Sequence, residues 1–580
     1  MLPLNHSDDL NRYMWEGKIQ LSGFSPYNIA PDDEVLVPLR DEIWQGINHK
    51  SVTAIYGPLS QLVFKATASV WYSPLGFKVF IMIFDVGTIL FLYLLLKSRG
   101  ARINELILYA LNPLVLYSFA AEGHLEAMLL FFIAGAIYWH QRKSFGWMFF
   151  FFGLAASVKL TALMFAPLFI SRDSRKFIPF ILLPLLTVLP FIPGIENMLF
   201  VMKQYGTKFY FNGFAYGVIS SFTGHQLTIP ILIALFVVSY GWIFFFVPDV
   251  IRASGCVALI FLLTSPSAHP WYFTIVAMFA VLYPLKSWIL LSGTVSVSWL
   301  VSFRYWTIGI WQEFAVQRVI EYIPPAIMEF LTRFRFADNV YPCYAASKSI
   351  TIVLPVLNES DNIARCLNAI VLPKHVASEI IVVDCGSTDD TVQIAKKDKR
   401  VKMITSDKGR GIQIAKGVDN ASGDLIIVVH ADTLLHENCV EQILLYINSN
   451  LSVTGGAVAS RFDQAGIRFR LITLLNNFRA RFTGISFGDQ VQFFRKEILK
   501  DIMPRVKLME DVEISMLLKE RGTVVLLPSL ARSSTRRWMK KAYTSNMFMI
   551  VGLTAFYLTR RRFALLESDN DNFYRMYYGK

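Results

Sequence analysis

The pattern of apolar and polar positions changes once along the chain, near residue 340. Before that point, apolar runs follow one another with short polar breaks: 77–96, 103–121, 125–139, 177–192, 228–247, 251–264, 271–285, 287–301 and about 314–331. A straight helix needs roughly 20 apolar residues to cross a bilayer. Several runs are shorter than that, but together they predict a polytopic α-helical membrane domain over residues 1–335. Beyond the change, short apolar runs alternate with helical periodicity. Strands are predicted at 351–354, 379–383, 401–404 and 425–429, and helices at 362–370, 391–397, 411–418 and 439–447. That alternation predicts a mostly parallel, Rossmann-like α/β sheet with right-handed crossovers. Residues 336–348 read as the linker, 349–543 as the α/β domain, and 544–580 as a tail whose stretch 544–558 lies in the inner membrane surface.

Charge orients these pieces. Basic clusters at 97–102, 140–144, 171–176, 249–252, 285–286 and 332–335 are predicted to face the cytosol. The N-terminal segment and the stretches 121–126, 193–227, 264–272 and 304–313 are predicted to face outward. The run 149–170 has Lys159 at its middle and basic residues on both flanks, which predicts a re-entrant hairpin with Lys159 near its tip. Nine spans and a closed hairpin then leave the α/β domain in the cytosol, on the inner face of the plasma membrane. The first residues read as a polar and aromatic segment, not as a signal peptide.

Composition agrees, with 54% hydrophobic and only 17% charged residues. The net charge of +13 sits in the short clusters between apolar runs, so it speaks for a membrane and against nucleic acid. Five cysteines (256, 343, 366, 385 and 439) without CxxC spacing argue against a disulfide framework or a zinc site.

Candidate chemistry in the α/β domain lies at strand ends, where such sheets bind ligands. The strand ending in TIVLPVLNES carries Asn358 and Glu359, with Ser360 or Asp361 able to cap the next helix. The next strand ends at Asp384 in IVVDCGSTDDT, which suits a hydrogen bond to a base or ribose. Lys408 and Arg410 in DKGRG form a basic, glycine-rich turn suited to phosphate. Asp432 in VVHADT is a second strand-end carboxylate, able to hold Mg2+ or Mn2+ on a nucleotide diphosphate. Asp489 in GDQVQFFRKE and the acidic trio Glu510, Asp511 and Glu513 in LMEDVEIS follow. A carboxylate there can deprotonate an acceptor hydroxyl; an acceptor that is already a lipid phosphate needs no base, and Asp511 then positions it or a metal.

Read in order, TIVLPVLNES, IIVVDCGSTDDT, SGDLIIVVHADT, GDQVQFFRKE, LMEDVE and STRRW resemble the family-two inverting glycosyltransferases of GT-A fold over residues 349–538. The likeness extends to the branch associated with arsenosugar-type biosynthesis, through KGRGIQ, HADT, GDQ, MEDVE and RRW. The resemblance implies a nucleotide-sugar site of Pro355, Asn358, Glu359, Asp384, Gly386, Ser387, Lys408, Arg410 and Asp432. It implies Asp432 at the metal and Asp511 as catalytic base, with Asp489, Gln490, Glu510, Arg537 and Trp538 near the diphosphate or acceptor. His430 stands where the family usually has the first Asp of a DXD triplet.

In the membrane domain, Asp8 and Asp9 form an acidic pair before an aromatic patch, and Asp85, Glu105, Glu122, Glu126, Lys159 and His269 recur near or within apolar runs. Such charges face a cavity or a partner. Glu122 and Glu126 are expected on one helix face, and an Asp85–Lys159 ion pair is the structural alternative to a site. The stretches SDDLNRYMWEGK, GFSPYNIAP, YGPLSQ, GLAASVKLTAL and SAHPWY resemble polytopic GT-C mannosyltransferase-like enzymes that use polyprenyl-phosphate sugars. That resemblance implies Asp8 or Asp9 as an outward-facing catalytic base, Lys159 and His269 near the lipid-linked phosphate, and a membrane span ahead of the SDD loop, where this sequence starts.

The expectation is a fused enzyme. The cytosolic domain transfers a sugar from a nucleotide diphosphate to polyprenyl phosphate, and the membrane domain passes the lipid-linked sugar to an acceptor outside. The rivals are a single cytosolic activity on a membrane anchor, and a membrane domain that moves the lipid-linked sugar across the bilayer.

Overall fold

The computed structural model describes residues 8–334, 344–464, 466–535 and 543–562. The chain divides into two compact units, Met1–Arg335 and Phe336–Lys580.

The first unit is helical. Helix Asp8–Leu21 carries Asp8 and Asp9 in its first turn, where the helix dipole favours anions. It lies close against helix Pro58–Val70, because Gly17 has no side chain: a Cβ there would stand 2.4 Å from the Phe64 carbonyl oxygen. Tyr13 stacks on Phe64 at 4.6 Å. Under the same helix a buried network ties Arg12 to Glu16 (2.6 Å), Gln61 to Glu16 (2.6 Å) and Gln20 to Gln61 (3.0 Å), so these buried polar side chains satisfy one another.

All nine apolar runs contain helix, and among the described residues three helices are long and apolar enough to cross a membrane: Pro74–Ser98, Arg175–Lys208 and Phe214–Phe246. Ile103–Ala110 and Pro113–Ala121 make a fourth span if the pair, bent by 48°, is taken as one. The other runs form shorter pieces, among them Phe145–Val158, Val250–Thr264 and Pro270–Leu282. Proline explains much of the fragmentation. Pro179, Pro190 and Pro193 fall inside the 3-10 stretches Arg175–Ile181 and Leu186–Gly194, where a missing N–H and the ring clash prevent a regular α-helix. Lys159 stands at a break: helix Phe145–Val158 ends, Lys159 is extended, and 3-10 turns Leu160–Met164 and Ala166–Phe169 follow.

The second unit is built on an eight-stranded sheet of order β3-β2-β1-β4-β7-β6-β8-β5. Its strands are β1 (Ser349–Val356), β2 (Ala377–Asp384), β3 (Val401–Thr405), β4 (Leu425–Val428), β5 (Thr433–Leu435), β6 (Val453–Phe462), β7 (Gln492–Arg495) and β8 (Thr523–Ser533). The four predicted strands form the parallel half, and the four predicted helices are present as Ile363–Ala369, Thr391–Lys396, Arg410–Asp419 and Cys439–Ser449. Ile350, Ile352 and Leu354 face one core and Val353 the other, the continuous apolar run of a strand covered on both faces.

The expectation of a mostly parallel sheet holds, with four parallel pairings of seven, β6 with β8 among them, but the other half is mixed. β7 runs antiparallel to both β4 and β6, and β5 antiparallel to β8. β7 is only four residues long, and β6 carries Gly455 and Gly456, which weaken its strand signal. Those glycines are needed where backbones meet: a Cβ at Gly456 would stand 2.1 Å from the Val525 carbonyl oxygen. Helix Tyr543–Arg562, which covers the stretch expected in the membrane surface, is tied to helix Glu510–Arg521 by Arg561 on Glu513 and Glu520, 2.8 Å each, and by the Tyr557 hydroxyl on Glu513. The described cysteines, Cys256, Cys366, Cys385 and Cys439, are free thiols.

Candidate active site

In the α/β unit, β1 and β2 run parallel and end at the same edge, so their loops meet. Asp384 closes β2 and clamps its own loop: Gly386 N–H donates to it at 2.9 Å, and Ser387 donates through its N–H and its hydroxyl. Gly386 is left-handed at φ 95°, which a side chain would strain. The β1 loop is stitched onto this turn. Asn358 backbone N–H donates to Ser387 Oγ (3.0 Å), and the Asn358 side-chain Oδ1 accepts from Thr388 N–H (2.8 Å). Glu359 N–H donates to Thr391 Oγ1 (2.8 Å). Asn358, Glu359, Asp384, Gly386 and Ser387 are therefore brought together, with Pro355 buried behind them in β1 opposite Val383.

Two details differ from the sequence reading. Neither Ser360 nor Asp361 caps the next helix; Asn362 occupies that position, and its amide donates to Glu359 at 2.6 Å. Asp389, which was not singled out, accepts from Thr391 and from Ser360 N–H, and these bonds, Thr391's hydroxyl first, pull its carboxyl down to about 2. A signal existed, since Asp two residues before Thr is a common loop-closing pattern.

The end of β4 leads through His430 to Asp432 in the turn before β5. Among the described residues the Asp432 carboxylate accepts no hydrogen bond. Opposite, Met509 adopts a left-handed backbone (φ 66°), rare for a residue with a side chain, and sets Glu510 and Asp511 at the start of helix Glu510–Arg521. Asp511 accepts from Gly488 N–H and Val512 N–H, both at 2.8 Å. Arg410 binds Glu510 directly and stands 3.6 Å from Asp511. A Cβ on Gly488 would lie 3.0 Å from His430 Nε2 and 3.4 Å from Arg410 Nη1, so these three groups converge. Lys408 is exposed in the turn just before Arg410, and Gly409 between them is at φ 141°. Burial pushes the Glu510 carboxyl well up, against the pull of Arg410.

Asp489 and Gln490 form the adjoining wall. Burial raises the Asp489 carboxyl, Arg479 opposes this, and the charges of Asp511 and Asp432 add to the rise. The partners of this wall were not foreseen. Helix Ile467–Thr483 sends Asn476 to Asp489 (3.1 Å), Asn477 to Gln490 (3.0 Å) and Arg479 to Gln490 (3.1 Å). The run NNFRAR inside an otherwise apolar pattern was the available sign. Arg537 and Trp538 lie outside the described residues. Among the described residues, no group of three or more His, Cys, Asp or Glu side chains is arranged to hold a metal ion.

The helical unit holds a second cluster. Asp9 accepts from the Tyr56 hydroxyl (3.2 Å) and lies 3.6 Å from Nδ1 of buried His124, whose Nε2 is 2.9 Å from Glu122. Asp8 beside it has its carboxyl raised by burial and by the Asp9 charge. Trp271 is sandwiched between His124 (3.9 Å) and His269 (4.5 Å). Lys159 binds Glu126 and lies 4.2 Å over the Tyr272 ring. Two expectations are corrected here. Lys159 pairs with Glu126, while Asp85 accepts from the Tyr109 hydroxyl at 2.9 Å. Glu122 and Glu126 share no helix face, because left-handed Gly123 (φ 74°) breaks the chain and a new helix starts at Glu126. Burial, then His124 and Lys159, push the His269 imidazole down from its ordinary value, and its Nε2 lies 3.4 Å from the Tyr205 hydroxyl.

With both sites described, comparison with known proteins adds two family matches. Residues 351–503 match glycosyl transferase family 2, and residues 1–172 match the N-terminal domain of the alpha-(1->6)-mannopyranosyltransferase family. Glycosyltransferase AglE of Haloferax volcanii is 25% identical over 168 residues, covering 27% of this chain and 55% of that protein. The undecaprenyl-phosphate 4-deoxy-4-formamido-L-arabinose transferase of Yersinia pestis is 27% identical over 203 residues, covering 33% and 57%. The chain thus spans little more than half the length of these two relatives. Among solved structures, the mannosyltransferase PcManGT from Pyrobaculum calidifontis, in complex with GDP-Man and Mn2+, is 15% identical, covers 47% of this chain and 76% of that one, and has a TM-score of 0.31. The chain carries glycosyltransferase domains in both halves.

Proposed function

We propose that this chain, with a family 2 glycosyl transferase domain and a mannopyranosyltransferase-type domain, is a membrane glycosyltransferase working in two stages. In the first stage the α/β domain, in the cytosol, moves a sugar from a nucleotide diphosphate onto polyprenyl phosphate. In the second, the helical domain moves the lipid-linked sugar onto an acceptor at the outer face of the cell membrane. One observation carries the reading: a strand-end assembly of His430, Arg410, Gly488 and Asp511 exists in the same chain as the Asp9–His124 and Glu126–Lys159 pairs. The Yersinia pestis relative, named for undecaprenyl phosphate, supports the choice of acceptor.

In the first stage, Asn358, Glu359, Asp384, Gly386 and Ser387 wall the base and ribose. Lys408 and Arg410 offset phosphate charge. Asp432 would hold a divalent ion on the donor diphosphate: its carboxylate accepts no hydrogen bond among the described residues. Mg2+ or Mn2+ held there supplies charge neutralisation to the leaving diphosphate. An acceptor phosphate oxygen bonds to the anomeric carbon as the bond to the diphosphate breaks. That oxygen arrives ionised, so Asp511 orients it through Gly488 and Arg410; a hydroxyl acceptor hands its proton to Asp511 instead. In the second stage Asp9, with Asp8 beside it, takes the proton of an acceptor hydroxyl. The departing lipid phosphate meets Lys159 and a hydrogen bond from neutral His269.

The test is a donor screen on purified protein with polyprenyl phosphate and a panel of nucleotide sugars, read by mass analysis of the lipid. A sugar-phosphate lipid from one donor class is expected. No lipid product from any nucleotide hexose overturns the first stage.

A further inference from the structure

Helix Ile467–Thr483 is polar on the side that faces the site and apolar on the side that faces away. Ile467 (85% exposed), Leu471, Leu474 (64%), Leu475, Phe478 (55%) and Phe482 are large apolar side chains left in the open. At 3.6 residues per turn they fall within an arc of about 100°. Such a stripe on a folded domain marks a surface that meets something apolar.

Charge identifies what it meets. The helix holds four arginines and no acidic residue. Arg468 borders the stripe on one side, and Arg470 and Arg481 border it on the other, all three exposed. An apolar face rimmed by arginine suits a bilayer surface: the rings and aliphatic chains enter the acyl boundary, and the guanidinium groups stay among anionic headgroups. A second copy of the chain offers no such reason for a purely basic rim.

The opposite face is fixed in the site. Ile472, Ala480 and Thr483 are buried, and Asn476, Asn477 and Arg479 hold Asp489 and Gln490. Arg479 also lies 3.3 Å over the Phe487 ring, one residue before Gly488, which donates to Asp511. A shift of the helix in the membrane surface is thereby a shift of the wall beside Asp511.

We propose that helix Ile467–Thr483 lies in the surface of an anionic bilayer through this stripe and sets the height at which a membrane-resident acceptor headgroup reaches Asp489, Gln490 and Asp511. The seating of the helix stands by itself; the link to the acceptor rests on the two-stage reading.

The experiment uses the full chain in nanodiscs made with and without phosphatidylglycerol. A fluorescent noncanonical amino acid replaces Leu474 or Phe478, and Thr473, on the opposite side of the helix from the stripe, serves as control. Fluorescence is read with lipids carrying a quencher at known acyl depth and with aqueous iodide. Strong lipid quenching at 474 and 478, weak at 473, and a fall of at least twofold without phosphatidylglycerol are expected. Iodide quenching at 474 and 478 overturns the proposal, because the stripe then faces water. Protection from both quenchers overturns it as well, because protein then covers the stripe. This readout needs no turnover, so a failed donor screen leaves it standing. If the stripe is lipid-quenched yet Leu474→Glu with Phe478→Glu leaves the KM for polyprenyl phosphate unchanged, the link to the acceptor fails and the seating survives.

Discussion

The imidazole of His124 stands 3.6 Å from the Asp9 carboxylate and 2.9 Å from that of Glu122. A fully protonated imidazole presents one N–H toward each of these acids, so a proton gained by His124 sits between two carboxylates. Burial lowers the affinity of His124 for it, but Glu122, Asp9 and Glu126 outweigh burial and raise it. A raised histidine contributes stability that is fully present below its ordinary value of 6.5 and is lost as pH rises through the raised value. His124→Asn is expected to flatten that alkaline loss in the thermal midpoint of detergent-purified protein. An unchanged pH profile contradicts the shared proton.

Glu126 is the more buried partner of Lys159, and its Oε2 is buried without a hydrogen bond. Lys159→Ala leaves an unpaired carboxylate behind. It is expected to destabilise by about 2–3 kcal/mol, less than the about 3–5 of a fully buried pair, because the Lys159 side chain is 27% exposed. Adding Glu126→Gln is expected to recover much of the loss. Chemical denaturation in mild detergent reads both.

Asp432 and Asp511 both act on the Asp489 carboxyl but have different surroundings: Asp511 accepts two backbone N–H groups, and Asp432 accepts no hydrogen bond among the described residues. Asp432→Asn is expected to abolish divalent-dependent binding of a nucleoside diphosphate in calorimetry. Asp511→Asn is expected to keep that binding and lower turnover about 10²-fold or more. Equal donor binding by wild type and Asp432→Asn removes the metal from Asp432.

Glu510 is held by Arg410 yet raised by burial. A raised carboxyl binds its proton more tightly in the fold than in the unfolded chain. Stability therefore falls as pH rises from the ordinary glutamate value of 4.5 through the raised one, and is level above it. Glu510→Gln is expected to remove this fall from the pH dependence of unfolding, and a slope identical to wild type contradicts the shift.

What the sequence revealed tracks the range of each interaction. The parallel strands and their helices were legible because an apolar run with a polar stop is a local signal, and Asp384, Asp432 and Asp511 could be placed by strand ends and motif order. β6, β7 and β8 were not, since β7 is four residues long and gains its place only by pairing with β4. The strand end at Asp384 marks a ligand-binding edge in the sequence, while its clamp on Gly386 and Ser387 shows only in the folded loop. In the helical unit the charged residues stood out while their pairing did not. Lys159 meets Glu126, 33 positions away, and His124 meets Asp9 only after Gly123 turns the chain. The apolar stripe from Ile467 was readable as a helical period; that it stays uncovered was not.

The two-stage account is tested most directly by following one lipid in vesicles that hold full-length protein, polyprenyl phosphate, a nucleotide sugar and an acceptor. Asp432→Asn is expected to make no lipid-linked sugar, while Asp9→Asn makes it and accumulates it because the second transfer is blocked. If Asp9→Asn turns over lipid-linked sugar into glycosylated acceptor at the wild-type rate, the helical unit is not the second enzyme.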